Sequence, residues 1–136
     1  MKSSASELIQ GDIYADARGS LRFCNDFDMG AVKRFYTISN SAECPDRGWI
    51  GHKKEVKWFF PLRGKTTIVL EPMNCSRAET PRRREVLALE ADKPCVLKVE
   101  PGNWFCIKQD GNSEVMVFSD CRVGEFKDDD FRRPYE

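Results

Sequence analysis

The chain has 136 residues, 40% of them apolar, enough to close one hydrophobic core, so a single domain is expected. Its 22 basic and 22 acidic side chains cancel, which removes the electrostatic case for a nucleic-acid partner. No apolar run reaches membrane length, and the first ten residues lack the apolar segment of a secretory leader, so a cytoplasmic protein with no membrane partner is expected.

The apolar residues fall in short β-type runs, with no long helical period, repeat or low-complexity segment. "SLRFC" (20–24) alternates and follows the turn signal "DARG". "VKRFYTI" (32–38) is aromatic and β-branched. "EVKWFF" (55–60) runs into Pro61 and "LRG", and "KTTIVL" (65–70) follows at once, so these two runs read as a hairpin. Residues 71–83 read as a longer loop, and Arg82-Arg83-Arg84, flanked by Glu79 and Glu85, as a solvated basic run. "EVLALE" (85–90), "CVLKVE" (95–100) and "NWFCIK" (103–108) follow, separated by turns at "ADKP" and "PG". "QDGN" is a hairpin signal before "EVMVFS" (114–119). About eight or nine short strands between Gly, Pro and Asn/Asp turns point to a sandwich, barrel or jelly roll, with room for a small helix only near the ends. The charged tail "KDDDFRRPYE" carries Phe131 and Tyr135, two aromatic residues expected to pack, for instance on a neighbouring subunit.

The six cysteines are widely spaced with no CxxC pair, and Cys24, Cys95 and Cys106 lie in strand-like runs. Most are read as reduced residues of the core. A catalytic zinc needs about three protein ligands, which one histidine and no paired cysteines do not supply. "RGWIG" lacks the spacing and the lysine of a phosphate loop. The lone histidine, His52, lies in "RGWIGHKKEVKWFF". If it opens a regular strand, His52, Lys54, Val56 and Trp58 share one face. That mixed face fits either the mouth of a barrel or an amphipathic edge strand with snorkelling lysines.

Four segments in order, "DARGSLRFCNDFDMGAVKRFYTI", "RGWIGHKKEVKWFFPLRGK", "VEPGNWFCI" and "VMVFSD", resemble the RmlC-like cupins of deoxysugar biosynthesis. Within these the chain looks most like the WxcM-like sugar 3,4-ketoisomerases and sugar epimerases. The resemblance covers about residues 12–132. It implies an all-β double-stranded β-helix, the cupin jelly roll. A single domain over residues 1–136 is expected, with a core over about 12–121 and a tail over 122–136. It further implies a homodimer with a nucleotide-sugar pocket inside the barrel.

In the ketoisomerase pattern an arginine is followed by histidines three and five positions later. Here the arginine is Arg47, the second histidine is His52, and Ile50 stands in place of the first. The metal-binding pattern keeps only His52 and Glu55, with Phe105 at its last histidine, so neither a metal nor another cofactor is expected. The resemblance assigns Arg18 and Arg47 to the diphosphate, a role that suits a guanidinium fork; Arg18 is otherwise a surface turn residue. Arg34 and Tyr36 match a pocket-lining strand, where alternation puts them on one face. Trp104 either shapes the pocket mouth or belongs to the core.

Moving a keto group between neighbouring sugar carbons, or inverting a carbon beside it, starts with removal of a proton alpha to the carbonyl. In this scheme His52 is the base, Tyr36 assists with a proton, and Arg34 or Lys53 stabilises the oxyanion. The alternative is a non-catalytic nucleotide-sugar-binding cupin, an accessory or regulatory subunit in polysaccharide biosynthesis, with Ile50 marking a lost base.

Overall fold

The computed structural model describes residues 2–74 and 83–134. Among these there is no helix, so none crosses a membrane, and the small terminal helix allowed by the sequence is not there.

Two five-stranded antiparallel sheets face each other. The first has the order β1 (Ser6–Gln10), β9 (Cys95–Val99), β6 (Lys57–Arg63), β11 (Glu114–Ser119), β4 (Arg34–Ile38). The second has the order β12 (Phe131–Arg132), β5 (Asp46–His52), β10 (Asn103–Gln109), β7 (Lys65–Pro72), β8 (Glu85–Glu90). A separate hairpin, β2 (Asp12–Asp16) and β3 (Gly19–Phe23), turns through the "DARG" segment. It is docked by Arg22, whose guanidinium donates to the carbonyls of Pro61, Leu62 and Ala91.

The alternation legible in the sequence builds the core. Val115 and Val117 of β11, Phe59 of β6 and Leu97 of β9 point inward from the first sheet. Ile68 and Leu70 of β7, Leu89 of β8, and Phe105 and Ile107 of β10 meet them from the second. The rings of Phe59 and Phe105 close the middle edge to face, 5.8 Å between centroids.

Both expected hairpins are corrected. The runs at 55–60 and 65–70 do not pair: β6 lies between β9 and β11, and β7 between β10 and β8. Likewise β10 and β11, on either side of "QDGN", lie in different sheets. A tight turn fixes the change of direction, not the sheet the chain enters next. Gly64 shows how the first corner is made. Its φ is +70°, and a Cβ there would stand 2.3 Å from Ser113 Oγ, so only glycine fits. Pro61 does not end the strand; it lies inside β6. Strand β9 pairs only with Lys57, Trp58 and Phe59, and the β11 register shifts beside Pro61, so its missing N–H breaks no regular ladder.

Four strands were not foreseen: β1, β2, β5 and β12. The regular strand through His52 to Trp58 is also corrected. His52 ends β5 in one sheet, residues 53–56 turn the corner, and β6 starts at Lys57 in the other. Of the basic run and the cysteines, Arg82 and Cys75 lie outside the described residues, as do Glu79 and Tyr135.

Candidate active site

The corner between β5 and β6 forms one end of a cavity of about 630 Å³ between the two sheets. Ile50 and His52 of β5 point into it, two residues apart on one face, while Trp49 packs on the opposite side. From the first sheet β4 contributes Arg34 and Tyr36, as alternation requires. Phe59 and Phe105 form the apolar floor. The segment after β11 closes the remaining side with Arg122, Asp129 and Asp130.

His52 is 8% exposed, and its Nδ1 lies 2.6 Å from the backbone oxygen of Asp129. A carbonyl oxygen only accepts, so Nδ1 is the ring nitrogen that carries the proton in the neutral imidazole. Nε2 is then the free base, and no described residue hydrogen-bonds it. The Asp129 carboxylate faces the other way and caps the corner, accepting from the backbone N–H groups of Lys53, Lys54 and Glu55 at 2.7–3.1 Å.

Glu55 is the hub of the polar wall. Its carboxylate accepts from the Ser119 hydroxyl, lies 3.0 Å from Lys57 Nζ and 3.5 Å from Arg34 Nη2, and faces His52 Nδ1 at 3.6 Å. Burial pushes this carboxyl up, but the Ser119 hydrogen bond and the Lys57 ammonium outweigh it and hold Glu55 below the usual glutamate range. Lys57, also buried, donates to Tyr36 Oη at 2.6 Å. An ammonium has no acceptor, so the phenol oxygen receives this bond and the phenol proton is left to donate elsewhere. The ring of Tyr36 is flanked by both cations, with Arg34 at 5.0 Å and Lys57 Nζ at 5.1 Å from its centroid.

His52, Glu55 and Asp129 bring ligand atoms within 4.8 Å of one another. They are a poor cradle for a dication. Both Asp129 oxygens are spent on backbone N–H groups, and the Lys57 ammonium already stands against Glu55.

Arg47 and Arg122 stand exposed at the rim. Arg47 Nε donates to Asn40 Oδ1, and neither guanidinium is paired with a carboxylate among the described residues. Three of the expected residues lie elsewhere. Arg18 is at the tip of the β2–β3 hairpin, paired with Asp16 at 2.6 Å and away from the cavity. Lys53 has its ammonium over the Phe131 ring at 5.0 Å and does not line the cavity. Trp104 lies on the outer face of the second sheet with Trp49, Val69 and Cys106, because its neighbour Phe105 takes the inward position.

No family model matches the chain, and no curated protein does. The solved structures answer differently. The chain is similar to a mutant of the QdtA 3,4-ketoisomerase from Thermoanaerobacterium thermosaccharolyticum in complex with TDP-4-keto-6-deoxyglucose, with a TM-score of 0.73 and 22% identity over 97% of this chain and 90% of that one. It is also similar to the WlaRB TDP-quinovose 3,4-ketoisomerase from Campylobacter jejuni, with a TM-score of 0.72 and 18% identity over 96% and 95%. The fold is that of the RmlC-like cupins. The rmlC epimerase of Mycobacterium tuberculosis shares it with a TM-score of 0.74 at 16% identity, over 97% of this chain and 70% of that one. In this chain the inward residue two before the histidine is Ile50, and the polar residues in or behind the cavity wall that the sequence alone did not single out are Lys57, Ser119, Arg122 and Asp129. One signal was present: Lys57 and Ser119 are polar residues at inward positions of strands that are otherwise apolar on that face.

Proposed function

We propose that this cupin catalyses proton transfer alpha to the keto group of a nucleotide-linked 4-keto-6-deoxyhexose, and so isomerises or epimerises the sugar without a metal. The observation that carries the proposal is the state of His52. It lines the cavity with Nδ1 committed to the Asp129 carbonyl, which leaves Nε2 as the nitrogen able to act as a base.

For keto isomerisation, His52 Nε2 takes the proton from C3, and the C–H electron pair forms the C3–C4 double bond. The C4 oxygen takes the Tyr36 phenol proton, giving the enediol. The C3 hydroxyl then returns a proton to Tyr36 as C3 becomes the carbonyl, and the imidazolium delivers its proton to C4. Lys57 and Arg34 flank Tyr36 and stabilise the negative charge that develops on the oxygens. Arg47 and Arg122 at the rim suit a diphosphate, whose binding energy positions the sugar. A thymidine nucleotide is the first candidate, because a similar structure holds TDP-4-keto-6-deoxyglucose.

The protein works in this reading as a cytoplasmic homodimer in polysaccharide biosynthesis. The exposed Tyr14 and Leu21, cross-strand partners in the β2–β3 hairpin, offer an apolar patch that supports pairing. The domain spans the whole chain.

The test is exchange. Incubation with TDP-4-keto-6-deoxyglucose in deuterated water, followed by NMR, is expected to place deuterium at C3, C4 or C5, and His52→Asn to abolish it. Tight binding of the sugar nucleotide with no exchange refutes catalysis and makes the protein a binding cupin. Exchange that survives His52→Asn removes His52 as the base.

A further inference from the structure

The outer face of the second sheet holds a buried ion pair that takes no part in the chemistry above. Glu71 of β7 is 1% exposed. The Arg133 guanidinium, itself only 8% exposed, grips it with both arms, Nη1 to Oε1 at 3.1 Å and Nη2 to Oε2 at 3.2 Å. Arg84 donates to Oε2 from the side at 2.9 Å. Burial pushes the Glu71 carboxyl up, but the hydrogen bonds from Arg133 and Arg84 outweigh it and keep it below its usual range. The Arg133 guanidinium also lies between two indoles, 4.6 Å from the Trp49 ring centroid and 5.0 Å from that of Trp104.

Arg133 stands four residues after Asp129. The chain between them passes through β12, only two residues long, which pairs with Gly51 and Ile50 at the end of β5. Arg133 and Trp49 add two backbone hydrogen bonds at 3.1 Å. A two-residue edge strand holds weakly by its own ladder. The side-chain grip on Glu71, Trp49 and Trp104 fastens its far end further. Asp129, at the other end of this short strap, supplies both the carbonyl that receives His52 Nδ1–H and the carboxylate that caps residues 53–55.

We infer that Arg133 is a positioning residue for His52: by latching the C-terminal strap to Glu71 between Trp49 and Trp104, it holds the Asp129 carbonyl where it selects the Nδ1–H tautomer. The inference rests on the reading of His52 as the base, but its first readout does not. A lysine cannot replace Arg133, because the latch uses a planar fork that is bidentate on Glu71 and lies over two indole rings.

His52 is the chain's one histidine, so the imidazole nitrogens can be read by long-range proton–nitrogen NMR without assignment. The wild type is expected to show a protonated Nδ1 and an unprotonated Nε2. Arg133→Gln and Arg133→Lys should shift both nitrogens toward averaged values as the second tautomer becomes populated, with the amide spectrum otherwise kept. Glu71→Gln, which keeps the size of the side chain, serves if the arginine variants do not fold. With the keto sugar as substrate, kcat should fall at least about tenfold while KM stays near its original value, since a wrong tautomer impairs the base and not binding. Nitrogen shifts unchanged in folded latch variants overturn the inference, even if the wild type is an active isomerase. Shifts that move as expected in a protein with no exchange activity uphold the latch and refute the catalytic reading instead.

Discussion

Replacing Glu55 by glutamine keeps the shape of the side chain and removes one buried negative charge. Glu55 and Lys57 are each 7% exposed at the side chain, and the carboxylate oxygen and ammonium are 3.0 Å apart. Breaking such a pair from one side strands the other charge, which costs about 3–5 kcal/mol. The cavity admits water, so the lower end applies: about 3 kcal/mol, or roughly 10 °C in melting temperature for a chain of this size. Lys57→Met alone strands the carboxylate, although Arg34 and Ser119 still face it. The double variant removes both charges and should recover most of the loss, because a buried pair exchanged for neutral groups is close to neutral in stability. Urea denaturation of the four proteins gives the coupling, expected to exceed about 1.5 kcal/mol. A Glu55→Gln loss below about 1 kcal/mol, or a double variant that loses the sum of the two singles, refutes the account of the polar wall. The pH dependence has a definite sign. The folded-state pKa of Glu55 is depressed, so its stabilising contribution is present above the ordinary glutamate range and is lost as pH falls through the folded value. Glu55→Gln should therefore flatten the acid limb of the stability curve.

Two further outcomes test the site and the core. Arg47→Ala and Arg122→Ala should each weaken TDP binding about tenfold by calorimetry, the loss of one charge-assisted contact, while Arg18→Ala leaves it unchanged. An alkylating reagent at mildly alkaline pH should label exposed Cys44 within the folded protein and spare Cys95 and Cys106, whose thiols burial pushes up to about 11; mass spectrometry of the peptides reads the result.

The fold was legible where side chains alternate. "VKRFYTI" placed Arg34 and Tyr36 on one face, and both line the cavity. The strand β5 was missed because "DRGWIGH" carries two glycines and no clean alternation, and its inward residues are an isoleucine and a histidine. The hairpins were misread because turn residues report the bend and not the partner strand. Of the cavity lining, Arg47, His52, Arg34 and Tyr36 were legible through a motif or a strand face. Lys57 was seen only as part of a mixed-charge strand, and its contact with Tyr36 depends on β4 and β6 both flanking β11. Asp129 carried no signal at all: in "KDDDFRRPYE" nothing separates it from its two neighbours until β12 pairs with β5 and selects it. Lys53 and Trp104 were lost to parity, since each follows or precedes an inward residue by one.

The pairing of Ser6 with Val99, of Phe35 with Phe118 and of Ile50 with Arg132 nests nearly every strand against one distant in the chain. Few of these contacts can form before the chain has closed large loops, and loop closure is paid in entropy before any ladder rewards it. Refolding should accordingly be slow for a domain of this size, in milliseconds to seconds rather than microseconds. During that interval the apolar strands stand open to one another across molecules. Yield on refolding should then fall with protein concentration even though the native sandwich leaves its central strands no free edge.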